Sequence, residues 1–471
     1  MLSAQRNEPE IPYLRAGVVN TIREPERSVP VTCEADVCVI GGSCTGVFAA
    51  VRAARLGMRV ALVEKGCLLG GMATLGLVAD WHSTRDTGGE EKIIGGLLDE
   101  VLERLRRADA LVEIPPGRRV QYRFNPAVLA CELDVLVQEN GVETFLDSTC
   151  SAPVLDGSRI EAVVVEDRSG RRAIRAPVFV DASGDGVLLR RAGFGAVQEP
   201  VLQPVSYQML ATGIDSVQRR HPGVNVWREV RDLASEYGVP ESNPWIHPVP
   251  GVPGVQNLFG ARLNGVDASD PEQFTRACLE GRRCARAFLE MIRRRFPEVA
   301  DEVGMVAAAP TLGVRETWHA CCRHRLTSEE LLSGREYDDA IANGTYPVDV
   351  HGPEGTVLRY LDGRESFTVP GGERSWRRWR SADQPTPRCY HIPLRSLIPS
   401  EAANLLVAGR LVDADRDAYG AVRVMVNCNQ TGEAAGVTAA LAADADGNVS
   451  AVPVERVRTE LAAGGSIVLP V

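Results

Sequence analysis

The sequence predicts an α/β fold: a three-layer domain built from both ends of the chain, with an α+β domain inserted between them. Two observations carry this. The first is Asp36-Val37-Cys38-Val39-Ile40-Gly41-Gly42-Ser43-Cys44-Thr45-Gly46, closed by Val60-Ala61-Leu62-Val63-Glu64. It reads as strand, glycine turn, helix and strand, ending on an acid. The second lies about 350 residues further on. There Asn404-Leu405-Leu406-Val407-Ala408-Gly409-Arg410 and Gly432-Glu433-Ala434-Ala435-Gly436 return to strand and helix.

The elements follow in order. Residues 1–34 read as an N-terminal arm or edge element. The first part of the nucleotide-type domain covers 35–195. Its first helix runs from Gly46 to Leu56 with small residues that allow close packing on a sheet, and Gly57 suits a left-handed cap. Residues 65–79 form a glycine-rich apolar connection. Amphipathic helices are expected at 93–107 and 126–140, the first with Leu97, Leu98, Val101, Leu102 and Leu105 at helical spacing. Strands at 142–146 and 160–166 flank an Asp156-Gly157 turn, and 176–193 is a further strand and turn. Residues 196–395 are richer in Pro, Trp and Arg and form the inserted substrate or cap domain. One long helix is expected there, from Pro271 to about Phe296, its Arg293-Arg294-Arg295 end matching the helix dipole. Residues 396–445 are the C-terminal return, and 446–471 a tail.

Bulk properties narrow the function. The 471 residues suffice for two or three domains, and 44% hydrophobic with 24% charged residues is ordinary for a globular chain. A net charge of −10 argues against a general nucleic-acid binder. No apolar run reaches the ~18 residues a membrane span requires. The first 30 residues lack the basic and apolar blocks of a signal peptide. The 12 cysteines are scattered without a CxxC pair, as reduced thiols of a cytoplasmic protein would be.

A tight turn from strand to helix presents backbone N–H groups to a pyrophosphate. The three turn positions are Gly41, Ser43 and Gly46, so the second glycine of the usual fingerprint is a serine. Glu64, 18 residues past Gly46, is placed to bind ribose hydroxyls. Together with the distant return, this start points to FAD rather than NAD.

At these residues the chain resembles the bacterial FAD-dependent oxidoreductases related to fumarate reductase flavoproteins. The resemblance extends over roughly 35–445, through Leu69-Gly70-Gly71-Met72-Ala73-Thr74, Asp181-Ala182-Ser183-Gly184-Asp185-Gly186, Leu312-Gly313-Val314-Arg315-Glu316-Thr317 and Ala408-Gly409-Arg410. It implies an FAD-binding, Rossmann-like domain. Gly41, Gly42, Ser43 and Gly46 would hold the pyrophosphate, Glu64 the ribose, and the Cys150 backbone the adenine. Gly70, Gly71, Met72, Ala73 and Thr74 would run along the isoalloxazine. Gly184 and Asp185 would lie by the pyrophosphate, and Gly409 and Arg410 by the ribityl chain. A helix beginning near Asn427 would aim its N-terminus at the flavin pyrimidine edge. Cys44, Lys65 and Gly432 complete the implied cofactor set. The chain departs from the family at Trp318-His319-Ala320-Cys321-Cys322-Arg323-His324 and at Leu394, where a tyrosine is frequent, so no relative's substrate carries over.

Four residues are candidates for chemistry. His82, beyond the ring segment, has the right kind of pKa to take a proton, or is a structural histidine. Arg315 and Arg423 would orient a carboxylate or phosphate, or pair with Glu316 and with Asp413 or Asp417. His319 is a further proton-transfer candidate. With Cys321, Cys322 and His324 it matches zinc ligands in type, but adjacent cysteines chelate poorly, and no metal site is expected. Trp81 would wall the pocket, and Trp376-Arg377-Arg378-Trp379-Arg380 reads as a surface loop of stacked side chains. Cys67 lacks the partner a flavin disulfide reductase needs, and no second glycine fingerprint offers an NAD(P)H site. The expected function is hydride transfer between a small-molecule substrate and flavin N5. Reduced flavin would give its electrons to an external acceptor or oxygen. The alternatives are a flavin monooxygenase or oxidase, a non-redox FAD-binding scaffold, and a zinc protein.

Overall fold

The strand Val37–Ile40, buried at every residue, is the centre of a five-stranded parallel sheet. This computed structural model describes residues 25–115, 119–240, 245–370 and 372–469. Across the sheet lie Leu405–Val407, Val178–Asp181, Val37–Ile40, Val60–Val63 and Glu143–Phe145. Val37 pairs with Val60 on one side and Val178 on the other, and Phe179 with Leu405. The runs Val-Cys-Val-Ile and Val-Ala-Leu-Val do not alternate because both faces of the sheet are covered, as parallel sheets require.

One covering layer is a pair of helices, Cys44–Arg55 and Met425–Ala443. Their close approach depends on Gly432 and Gly436, where a Cβ would overlap the carbonyl oxygens of Thr45 and Ala49. Arg52 and Glu433 meet in this interface, Nε donating to Oε2 at 2.7 Å, both buried. Glu433 also accepts from the Leu97 N–H and the Ser466 hydroxyl, tying three segments together. The other layer is the sheet of Val31–Glu34, Gly170–Arg175, Arg159–Asp167 and Thr149–Asp156. The α/β class and three layers expected from sequence are therefore present. Of the N-terminal arm, residues 1–24 lie outside the described residues, and Val31–Glu34 pairs parallel with Gly170–Arg175.

The helix expected at 93–107 starts at Leu97, because Gly96 at φ 84° turns the chain just before it and Glu433 takes the Leu97 N–H. The helix expected at 126–140 is Pro126–Glu139, capped by the Asn125 side chain, which accepts from the N–H groups of Ala127 and Val128. The long helix is Pro271–Arg295. It lies on the sheet of Trp245–Pro248, Gln256–Leu263, Val205–Thr212 and Gly304–Ala308.

The hydrophobic cores divide differently from the expected boundary at 395. Residues 205–314 share one core with this helix and sheet. The pair Ala340–Gly344 and Tyr390–Pro393 belongs instead to the core of the nucleotide-type domain, with the Asn343 N–H donating to Gln430 of the return helix. The sheet Val348–Gly352, Gly355–Arg359, Arg364–Thr368, Arg374–Arg378 lies next in the chain, its first strand burying Val348 and Val350 in that same core. The segment expected as a tail carries the helix Val454–Ala463, which buries Val457 and Leu461. No helix among the described residues is long and apolar enough to cross a membrane.

Candidate functional site

A cavity of about 700 Å³ opens where these bodies meet. One end runs along the C-terminal edge of the parallel sheet. Gly41, Ser43, Cys44, Glu64, Lys65, Gly71, Met72, Gly184, Asp185, Gly409 and Arg410, all among the cofactor candidates, line it.

The first turn is built for close approach. Gly41 has φ +103°, and a Cβ there would stand 2.6 Å from the Ala182 oxygen. Ser43 caps the first helix, its Oγ accepting from the Gly46 N–H at 3.5 Å, so the serine replaces a glycine without leaving the turn. No acidic side chain sits in that first turn. Glu64 takes the Gly42 N–H at 2.6 Å and the Gly66 N–H at 2.7 Å, which fixes its carboxylate at the cavity wall. At the other side the return helix begins at Met425, two residues before Asn427, with no side-chain cap on its N-terminus.

Unpartnered polar atoms fall at the same wall. Asn429 is 1% exposed, and neither atom of its amide group has a partner within the protein. Arg410 Nη1 is likewise without one, while its Nη2 donates to Asp185 at 3.3 Å. A ligand bearing a pyrophosphate and a polar ring edge satisfies both. The residues present therefore fit FAD.

Several proposed cofactor residues serve this wall from behind. Gly46 lies against Gly41, and Gly432 faces Thr45 of the first helix rather than the cavity. Thr74 donates its hydroxyl to the Leu69 carbonyl, and Ala73 is buried beside it. Asn427 donates to Tyr390 and the Ala421 carbonyl, turning away from the cavity by one step of the helix. The Cys150 carbonyl is taken by Arg191.

The other end of the cavity is a chamber of ionisable groups. His82, Arg119, Arg262, Arg315, Tyr346, Asp349, His351 and Arg423 line it. Arg315 is buried and donates to the Pro204 carbonyl at 2.7 Å, and Glu316 turns instead to the Gln203 N–H and His319. Arg423 reaches the Asp349 carbonyl at 3.2 Å and Gln203 Oε1 at 3.3 Å, not Asp413 or Asp417. Tyr346 donates to Asp349 Oδ2 at 2.6 Å. His351 stands with Nε2 3.2 Å from Asp349 Oδ1 and with Nδ1 bonded to Thr356 at 2.8 Å. Arg262 donates to that same threonine oxygen.

Burial sets the charge states. It pushes His82 down to about 3, helped by Arg119. It pushes His351 down to about 3, helped by Arg262 and opposed by Asp349. Arg315 falls to about 9 through burial and the neighbouring Arg262 and Arg423, which leaves it charged at neutral pH. Burial works against a charged Asp349, but a hydrogen bond from His351 and the cations Arg423 and Arg119 outweigh it and hold its pKa well below the usual range. The histidines are thus neutral, and the 3.2 Å His351–Asp349 contact is not an ion pair.

An acid sensitivity follows. Between pH 6.5 and about 3 the unfolded chain binds protons at His82 and His351 that the native state refuses. Native stability is therefore lost as pH falls through this window, by up to ~1.4 kcal/mol per pH unit for each histidine. Urea unfolding at a series of pH values measures this slope, and a His82→Gln, His351→Gln double variant is expected to flatten it. An unchanged slope in that variant would place the acid sensitivity elsewhere.

His319 does not reach the chamber. It is 1% exposed, bound to Glu316 Oε1 at 3.1 Å and to the Ala414 carbonyl, and its ring lies 4.1 Å from that of Tyr419. Its neighbours diverge: Cys321 packs by Gly195, and His324 turns to Glu330. No three His, Cys, Asp or Glu side chains converge into a metal-holding group among the described residues. Trp81 is fully buried against Phe124 instead of walling the pocket. Trp376 sits on an exposed edge strand, Arg374–Arg378, rather than a loop.

Sequence reading missed Arg119, Arg262, Tyr346, Asp349, His351 and Asn429. A partial signal existed for two of them: Asp349 and His351 are two apart on one strand, hence on one face.

Comparison with known proteins adds the family. The family model described as FAD dependent oxidoreductase matches residues 36–461. No curated protein matches the chain. Solved structures similar to it include a geranylgeranyl bacteriochlorophyll reductase-like protein from Thermoplasma acidophilum, at 12% identity over 92% of this chain and 83% of that one, with a TM-score of 0.46. The flavin-dependent brominase Bmp2 is 12% identical over 90% and 83%, with a TM-score of 0.44. The p-nitrophenol 4-monooxygenase PnpA from Pseudomonas putida DLL-E4 is 11% identical over 88% and 79%, with a TM-score of 0.38.

Proposed function

The chain belongs to the FAD-dependent oxidoreductase family, and from that premise we propose that it transfers hydride between an anionic small molecule and flavin N5. Bound FAD supplies a two-electron acceptor or donor at that position. The observation that carries the reading is the charge balance of the chamber. Five guanidiniums, Arg119, Arg262, Arg315, Arg374 and Arg423, line the cavity beyond the cofactor end with two carboxylates, Asp80 and Asp349, and two neutral histidines. Excess positive charge in a partly dry cavity is unfavourable until an anion joins it.

Arg315 and Arg423 are held by backbone carbonyls, so their donors are aimed before a ligand arrives. His82 has a buried Nδ1 without a partner in the protein, next to the Tyr346 ring at 4.2 Å. Neutral, it accepts a proton from a substrate hydroxyl or amine as the hydride leaves carbon. Burial is the larger cause of its lowered pKa, and an anion among the arginines offsets the part that comes from Arg119 and Arg423 and makes it a stronger base. Arg423 stands between this chamber and the start of the return helix, so substrate and cofactor sites meet there. An external acceptor or oxygen completes the cycle.

The test is the visible spectrum of the purified protein supplied with FAD. Flavin absorbance that an organic acid substrate bleaches without oxygen is the expected result. A protein that takes up no flavin would overturn the reading.

A further inference from the structure

The chamber has a charged end and an apolar length. Leu75 and Val78 follow directly on the ring segment, the Val78 N–H donating to the Met72 carbonyl at 3.0 Å. The Thr311 N–H donates to the Leu75 carbonyl at 3.4 Å, laying Pro310 to Val314 beside them. Contacts then lead outward from His82 to Tyr346 and Arg119, and Arg119 covers the Trp245 ring at 5.7 Å. Trp245 lines the cavity yet remains 37% exposed.

A small dianion fits this lining poorly. It would occupy the guanidiniums and leave Leu75, Val78 and Trp245 uncovered. Ligand affinity in such a cavity comes chiefly from the apolar surface it covers, while a few polar groups fix orientation. An indole held at a rim by a stacked arginine is a preformed platform of that kind.

We infer that the substrate is an organic carboxylate with an extended apolar body, its carboxylate held by Arg262, Arg315 and Arg423 and its body lying along Leu75 and Val78 toward Trp245. This rests on the anion oxidoreductase reading above and specifies its substrate class. Trp245 is then a specificity residue, touching the far part of the substrate and no reacting atom.

The experiment titrates the FAD-loaded protein with three probes, 3-phenylpropionate, succinate and 3-phenylpropionamide, and follows the change in the flavin spectrum. 3-Phenylpropionate is expected to bind at least ~10-fold more tightly than either of the others. Trp245→Ala is expected to weaken 3-phenylpropionate ~5- to 10-fold and leave succinate unchanged. Arg262→Gln is expected to weaken both acids and not the amide. Trp245 is exposed, so its variant reads binding without a folding defect, and flavin content checks the fold of Arg262→Gln. Succinate binding as tightly as 3-phenylpropionate, no binding of any probe, or a silent Trp245→Ala would overturn the inference alone. Failure to load FAD would overturn the oxidoreductase reading beneath it.

Discussion

Gly46→Ala is expected to yield a protein that no longer holds FAD. The added Cβ would overlap the Gly41 carbonyl oxygen, which is backbone and belongs to the pyrophosphate turn itself. Gly41 has no room to retreat, because it already stands against the backbone of Ala182 and Ser183. Nor can the first helix move outward. On its far side Thr45 and Ala49 meet Gly432 and Gly436 of the return helix at distances that also exclude a Cβ. Overpacking a site with such neighbours costs about 1–3 kcal/mol or more. Here the displaced atoms belong to the turn proposed to meet the pyrophosphate, so the expected loss in FAD affinity is ~100-fold or greater. The ratio of flavin to protein absorbance after dialysis measures it. Gly57→Ala is the control: it sits at φ +88° with nothing within 4 Å of a new Cβ, and should lose ~1–2 kcal/mol of stability while keeping FAD. A Gly46→Ala protein with a full complement of FAD would contradict the packing argument.

That prediction draws on the part of the molecule that was legible in the sequence. Gly41, Gly46 and Glu64 act through one local unit of strand, turn, helix and strand, so their spacing carries their geometry. The return at 404–436 was legible because its strand is a buried apolar run joining the same sheet. Gly432 shows the limit of such reading. A glycine that lets a phosphate approach and one that lets two helices touch look alike in sequence, and Gly432 is the second kind.

The chamber was hidden for a different reason. Arg119, Arg262 and Asp349 come from segments some 90 to 230 residues apart and lie beside or on strands of three different sheets, whereas His82, Arg315 and Arg423 of the same chamber were already candidates from the sequence. Each alone is an ordinary charged residue beside a strand or helix. His319 misled in the opposite way. It lies beside a family motif and near other ligand-type side chains, but Glu316 and Tyr419 draw it into the interior. Period-two alternation on Val348–Gly352 put Asp349 and His351 on one face, yet not toward which neighbour.

Arg423→Gln is expected to lower the rate constant kcat/KM for substrate-driven flavin bleaching by ~10²- to 10³-fold with FAD content unchanged. The side chain is 10% exposed and its Nε has no partner within the protein. It ends the helix Arg416–Val422 and directly precedes the return helix, so it presents a fixed cation where substrate and flavin sites join. Glutamine keeps one donor and removes the charge. Two consequences follow from that loss. A bound carboxylate forfeits a charge-assisted donor, and Asp349 forfeits a cation that holds its pKa down. The Asp349 pKa should then rise toward the ordinary carboxylate range, adding a new acid limb to the pH profile in which activity falls as Asp349 takes up its proton. Arg423→Lys restores the charge without the two-pronged geometry and should lie between the two. A Gln variant within a few-fold of the parent, with no new acid limb, would remove Arg423 from the substrate site and leave Arg262 and Arg315 to hold the anion. The acid limb separates a cation that acts on Asp349 from one that only fills space, since a purely structural role would change the melting temperature and leave the profile where it was.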